Sequence, residues 1–184
     1  MCYEYSKSSF LIFALLSLQT AAVAAADVET SSIAAADRKF VQKAAQGGIA
    51  EVQLGQLAAQ HAQSEEVKQF GQRMASDHSV ANNKLQQLAS QKGITVPTDM
   101  EASSRREYDK LQKLSGAQFD REYMSAMVSD HNKDVKEFRS EAKTAKDPDI
   151  KAFASSTLPT LEDHLKAAKA AEGTAKNETH SASK

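Results

Sequence analysis

Apolar residues recur at every third or fourth position through most of the chain, the period of an amphipathic helix. Phe40, Ala44, Gly47, Glu51, Leu54, Ala58 and His61 share one stripe, which predicts a first helix from Asp37 to about Gln63. Ser64 followed by Glu65 and Glu66 reads as a cap with acids in a first turn, and Val67, Phe70, Met74, His78, Ala81, Leu85 and Leu88 carry a second helix to Gly93. A short helix is predicted between Met100 and Leu114. With Ser115 as its cap, a third long helix presents Phe119, Tyr123, Met127, His131, Val135 and Phe138. Asp147 suits an N-cap and Pro148 the first helical position, opening a fourth long helix with Ile150, Phe153, Thr157, Leu161, His164 and Ala168 on its stripe. Pro159 lies inside it and predicts a kink or break just before His164.

Short first and last connections with a longer middle one predict a hairpin, a crossover and a second hairpin. The fold class is therefore all-α, an antiparallel four-helix bundle over residues 37–172. The polar residues 173–184 read as a disordered tail.

Each stripe carries one polar residue near its middle: Glu51, His78, His131 and His164. Counted from turns at Gln63 and Lys146, the two members of each hairpin differ in level by three residues, about 4.5 Å at the helical rise. All four are thus expected in one layer of the core. Three imidazoles and a carboxylate cannot be buried without partners, so the layer is either a hydrogen-bonded polar network or a site for one divalent transition metal, Zn, Fe, Mn or Cu. Asp77 and Asp130 each precede a histidine, within the pattern Met-x-Ser-Asp-His that occurs twice, at Met74–His78 and Met127–His131. About 100° separates neighbouring residues round a helix, so these acids are either solvated flanks or supports for a histidine on the next helix. Asp134, three residues after His131, is better placed as an extra oxygen ligand. Met74 and Met127 lie four residues before inward histidines, as core filler or as thioethers of a copper-like set. The doubled pattern hints at duplication. His61 and His180 are expected to be exposed.

Composition supports the helices: Gly (7) and Pro (3) are scarce and there is no Trp. A formal net charge of -1 gives no reason to expect a nucleic-acid partner. Lys7, the apolar run SSFLIFALLSL and the small residues of QTAAVAAAD describe a secretory signal over residues 1–26, cleaved after Ala26, and residues 27–36 read as a flexible lead. The apolar run is short for a membrane span, so no span is expected in the mature chain. Cleavage would remove Cys2, the sole cysteine, leaving no disulfide and no thiolate ligand. The expected location is periplasmic or secreted.

The segments FVQKAAQGGIAEVQLGQLAAQHA, VKQFGQRMASDH, FDREYMSAMVSDH and IKAFASSTLPTLEDHLKAA resemble the bacterial domain-of-unknown-function family 4142 across residues 36–170. The pairs Gly47-Gly48 before Glu51, Asp77-His78 after Met74 and Leu158-Pro159 before His164 carry the likeness in combination. The resemblance implies a ferritin-like bundle and a periplasmic or outer-membrane location. The di-iron members of the wider ferritin-like class use Glu-x-x-His on two helices. Here Ala75, Val128 and Leu161 stand three residues before the histidines, which argues for a single metal at most. Nor does the chain show the strand alternation of a membrane barrel.

Three functions compete on these residues. The first is a metal-binding bundle for metal handling or envelope stress. The second is a metal-free structural or interaction module of the cell envelope, with an envelope protein as partner. The third, an oxidoreductase on the bound metal, has the least support, since the mature chain offers no thiol nucleophile or phosphate-binding loop.

Overall fold

The structure, a computed structural model, describes residues 32–181, with side chains through residue 175. The expected signal and most of the expected lead lie outside the described residues, as do the side chain of His180 and residues 182–184. All regular elements among the described residues are helices: α1 (Ala35–His61), α2 (Glu65–Gln91), α3 (Ala102–Leu111), α4 (Gly116–Thr144) and α5 (Pro148–Ser181). They form a helical bundle. α1 packs along α2 and α4 along α5, while α2 against α5 and α1 against α4 join the two pairs. The short α3 touches both α1 and α4.

Local chemistry sets the ends. Gly93 takes a positive φ of 61°, and the Ile94 N–H returns 2.8 Å to the Ala89 carbonyl, closing α2 with the left-handed cap expected at that glycine. Asp147 accepts from the backbone N–H groups of Asp149 and Ile150 at 2.9 and 3.1 Å and so caps α5, with Pro148 as its first residue. Ser64 and Ser115 occupy the N-cap positions of α2 and α4, yet neither side chain makes a capping bond. The connection at Ser64 is held from across the bundle instead. Buried Asp120 of α4 accepts the N–H groups of Gln63 and Ser64 at 2.9 and 2.8 Å. Buried Asp37 of α1 does the same for Lys146 and Asp147, at 2.9 and 2.8 Å. The two clasps match at an offset of 83 residues (37 to 120, 63 to 146, 64 to 147). That offset pairs α1 with α4 and α2 with α5. The repeated Met-x-Ser-Asp-His lies instead on α2 and α4, so it is not the mark of this internal correspondence.

α1 and α2 approach closely at two glycines. A Cβ on Gly55 would sit 2.5 Å from the Gly71 carbonyl oxygen, and one on Gly71 would sit 2.7 Å from that of Gly55. Nothing larger than hydrogen fits there, and the helix-propensity cost of glycine is accepted for the contact.

Three expectations are corrected. α5 is not split at Pro159. Pro159 is exposed, so the Ser155 carbonyl deprived of its helical donor lies on the solvent side. The polar end read as disordered from residue 173 is helical through Ser181, with Ala171 and Ala175 buried on the continuing stripe. His61 is half-buried: its Nδ1–H donates to the Leu114 carbonyl at 3.1 Å, and its ring lies 5.7 Å from that of Phe119.

Candidate metal centre

The apolar core falls into two clusters. One gathers Leu54, Val67, Phe70, Met74, Phe119 and Met127 with their neighbours; the other gathers Phe40, Val41, Leu85, Leu88, Ile150 and theirs. On each long helix the polar residue of the stripe falls between the part in one cluster and the part in the other. Glu51, His78, His131 and His164 are all buried, with His131 fully enclosed at 0% exposure. The expected polar layer is therefore present.

Within it the three imidazoles converge. One ring nitrogen from each lies within 4.8 Å of the corresponding nitrogen of the other two. Ring centroids are 5.7 Å apart for His78–His131, 5.4 Å for His78–His164 and 5.4 Å for His131–His164. Nitrogens this close share a point no more than about 2.8 Å from each, so shifts of under about 1 Å would reach the usual metal–nitrogen bond of about 2.0–2.1 Å.

Hydrogen bonds fix which nitrogen is free. The Met127 carbonyl can only accept, so His131 donates to it through Nδ1–H at 3.0 Å, leaving the Nε2 lone pair. His164 donates through Nε2–H to Asp77 Oδ2 at 2.9 Å, leaving Nδ1. The nitrogens left over, His131 Nε2 and His164 Nδ1, together with His78 Nε2, are buried and have no hydrogen-bond partner in the protein. Metal-ligating histidines are held in this way, one ring N–H donating to a carbonyl or carboxylate while the other nitrogen keeps its lone pair.

Electrostatics keep the rings neutral. Burial, and then the neighbouring His131 and His164, push the His78 pKa down to about 3. Burial lowers His164 to about 4, against the opposing effect of its hydrogen bond to Asp77. Burial also lowers His131, opposed by Asp134 and by the Met127 carbonyl. A neutral imidazole is the ligating form, so a cation here does not compete with a proton at neutral pH.

Glu51 does not join the three nitrogens. Its Oε1 lies 3.8 Å from His131 Nδ1, and its Oε2 has no partner. Burial, then Asp130 and Glu107, raise its pKa to about 8. With the carboxyl largely protonated and the imidazole neutral, that contact is not an ion pair. Asp134 is half-buried on α4, and burial, followed by Glu51, raises it to about 7. Asp77 supports a histidine from the neighbouring helix, and Arg73 lies 3.3 Å from the same oxygen. Asp130 takes the flank role, paired with Lys133 at 2.8 Å. Met74 and Met127 are fully buried in one apolar cluster, and Met127 meets the site through its carbonyl.

Two further residues bear on the layer. Asn82 fills the space over Gly48, where a Cβ would lie 1.9 Å from Asn82 Oδ1. Buried Tyr123 stacks on Phe119 at 5.5 Å, leaves its hydroxyl without a partner, and has its pKa raised by burial and by Glu51. Nothing in the spacing of Asn82 marks it, and Tyr123 lies on the α4 stripe, whose spacing alone does not single out its hydroxyl.

Fold and site together define an all-helical bundle protein with a buried three-histidine group. The chain belongs to the family described as Domain of unknown function (DUF4142), which matches residues 20–171. Two solved structures share the fold. One, described as a DUF305 fragment from Deinococcus radiodurans, is 14% identical over 77% of this chain and 98% of its own, with a TM-score of 0.68. The other, CopM in the Cu(II)-bound form, is 15% identical over 75% of this chain and 96% of its own, with a TM-score of 0.64. At such identities the likeness is one of fold alone. No curated protein matches the chain. No helix among the described residues is long and apolar enough to cross a membrane.

Proposed function

We propose that the protein binds one divalent transition-metal ion through His78, His131 and His164 and serves in metal handling. The observation that carries this reading is the buried group of three imidazoles, each able to offer a ring nitrogen within 4.8 Å of the others and each with a ring nitrogen that has no hydrogen-bond partner in the protein. Left empty, each costs about 1–3 kcal/mol of desolvation, and one shared cation removes all three penalties. The all-nitrogen set, without a thiolate, suits copper and zinc better than the oxygen-preferring ions. The fold shared with a protein solved with Cu(II) makes copper the first ion to test. Asp77 and the Met127 carbonyl orient two of the rings. Glu51 and Asp134 stand behind them, in a ferritin-like antiparallel four-helix arrangement.

The working compartment is the periplasm or the exterior, on the strength of the N-terminal secretory pattern in residues 1–26. N-terminal sequencing of protein recovered from that compartment should begin at Asp27.

Elemental analysis of the full chain, purified and then loaded with Cu(II) or Zn(II), tests the site. One equivalent is expected in the wild type, with weaker binding or none after His78→Ala, His131→Ala or His164→Ala. For Cu(II), paramagnetic resonance should report nitrogen ligation that each change reduces. Stoichiometry and spectrum indifferent to all three changes would sink the reading. A melting temperature insensitive to both metal and chelator would favour the metal-free envelope module.

A further inference from the structure

We infer that an acidic cleft between α1, α3 and α4 is the route by which a hydrated divalent cation reaches the three histidines, with Glu51 and Asp134 as its first protein ligands. This route deepens the metal reading above and presupposes it.

The cleft has a volume of about 230 Å³, and its walls carry six carboxylates, Glu51, Glu101, Glu107, Asp130, Asp134 and Glu137. Only two lysines share it, and both are engaged: Lys43 lies 3.6 Å from Glu137 and Lys133 lies 2.8 Å from Asp130. Acidic surface is common without any ligand, so the floor of the cleft is what matters. Glu51 is 3% exposed, its Oε2 has no partner, and its Oε1 lies 3.8 Å from His131 Nδ1. A buried carboxyl with an unpartnered oxygen thus links the solvent-facing acids to the histidine layer.

A second, smaller cavity completes the path. It holds about 40 Å³, shares Lys43, Gly47, Asp134 and Glu137 with the cleft, and reaches His78. That volume exceeds the roughly 10–15 Å³ a water-sized guest requires. Gly47 lines both spaces, and a Cβ built on it would meet nothing within 4 Å. The missing side chain leaves the passage open. Two other cavities among the described residues, each of more than 200 Å³, touch neither Glu51 nor any of the three histidines.

The division of labour follows from charge. Neutral, buried imidazoles exert little pull on a distant ion, whereas the outer carboxylates of the cleft, Glu101, Glu107, Asp130 and Glu137, focus a field that concentrates cations, and the arriving ion displaces the protons that burial holds on Glu51 and Asp134. Carboxylate oxygens take a cation that still holds part of its water shell, and imidazole nitrogens then hold a borderline or soft ion more tightly.

The test is stopped-flow mixing of the full chain with Cu(II) at low ionic strength, read by tyrosine fluorescence, beside an equilibrium titration. The Glu51→Gln/Asp134→Asn variant should load at least tenfold more slowly, with a stoichiometry still of one. Gly47→Leu leaves every charge in place and should slow loading too, while Glu66→Gln on the exposed start of α2 should not. Circular dichroism confirms that each variant folds. Loading rates within twofold of wild type for both the double variant and Gly47→Leu would overturn the route. So would loss of the equilibrium site in Glu51→Gln, which would make that carboxylate a resident ligand. A wild-type chain that takes up no copper would sink the metal reading and the route with it, whereas fast loading in the variants would sink the route alone.

Discussion

Replacing His131 by leucine separates a ligand layer from a structural one. His131 is fully buried, and its Nε2 has no partner. In the metal-free protein that bare nitrogen costs about 1–3 kcal/mol, and leucine removes the cost at similar volume. What is lost is the bond from Nδ1–H to the Met127 carbonyl at 3.0 Å, a contribution of about 0.5–1.5 kcal/mol. The carbonyl is not orphaned, because the backbone N–H of residue 131 still reaches it inside α4. The net expectation is a metal-free His131→Leu variant more stable than wild type by about 1 kcal/mol, or roughly 2–4 °C for a domain of this size. Metal reverses the order. An ion at a hundred times its Kd adds about 2.7 kcal/mol to the wild type, and the variant gains nothing. Thermal unfolding by circular dichroism, after exhaustive chelation and again with saturating Cu(II) or Zn(II), reads both halves. A chelated variant that loses more than about 2 kcal/mol, beside a wild type indifferent to metal, would mean that the imidazoles hold the helices together and bind nothing.

Other expectations follow from the same contacts. Asp77→Ala frees the His164 ring and should weaken metal binding about 10- to 100-fold in an equilibrium titration, with little effect on the metal-free melting temperature. Gly47→Ala, facing open space, should stabilise the protein by roughly 0.5–1 kcal/mol in denaturant unfolding, whereas Gly55→Ala forces α1 off α2 and should cost about 1–3 kcal/mol. In metal-free protein, His78 and His164 titrate at about 3 and about 4 when folded, against an ordinary 6.5, so the unfolded chain binds the extra protons. Their contribution to stability is whole above pH 6.5 and is lost as the pH falls towards 4 and 3, by about 1.4 kcal/mol per unit for each ring. Glu51 and Asp134 act in the opposite direction, because the folded protein takes up their protons first, near 8 and 7. Melting followed from pH 7 to 4 should therefore fall more steeply in Glu51→Gln/Asp134→Asn than in wild type; parallel curves would refute the assignment.

The periodicity of apolar residues determined the helices by itself, because a 3.6-residue repeat is a local property and each stripe needs only its own helix to be read. It also placed one polar residue in the middle of every stripe. Counting from the turns put them at one level, since rise per residue is fixed by the backbone. Gly93, Asp147 and Pro148 declared themselves for the same reason: each acts within one turn of its own position. Direction across the bundle is not a local property. Which imidazole nitrogen is left free depended on the Met127 carbonyl and on Asp77, 87 residues from the histidine it holds. Glu51 is buried like the histidines and lies against His131 yet stays outside their group, a distinction that residue spacing does not encode. The Asp37 and Asp120 clasps, the Gly55–Gly71 contact and the cleft walled by α3 likewise exist only once distant helices meet. A single stripe records how deep a residue lies. What that residue faces is settled by the neighbouring helix, and no stripe contains it.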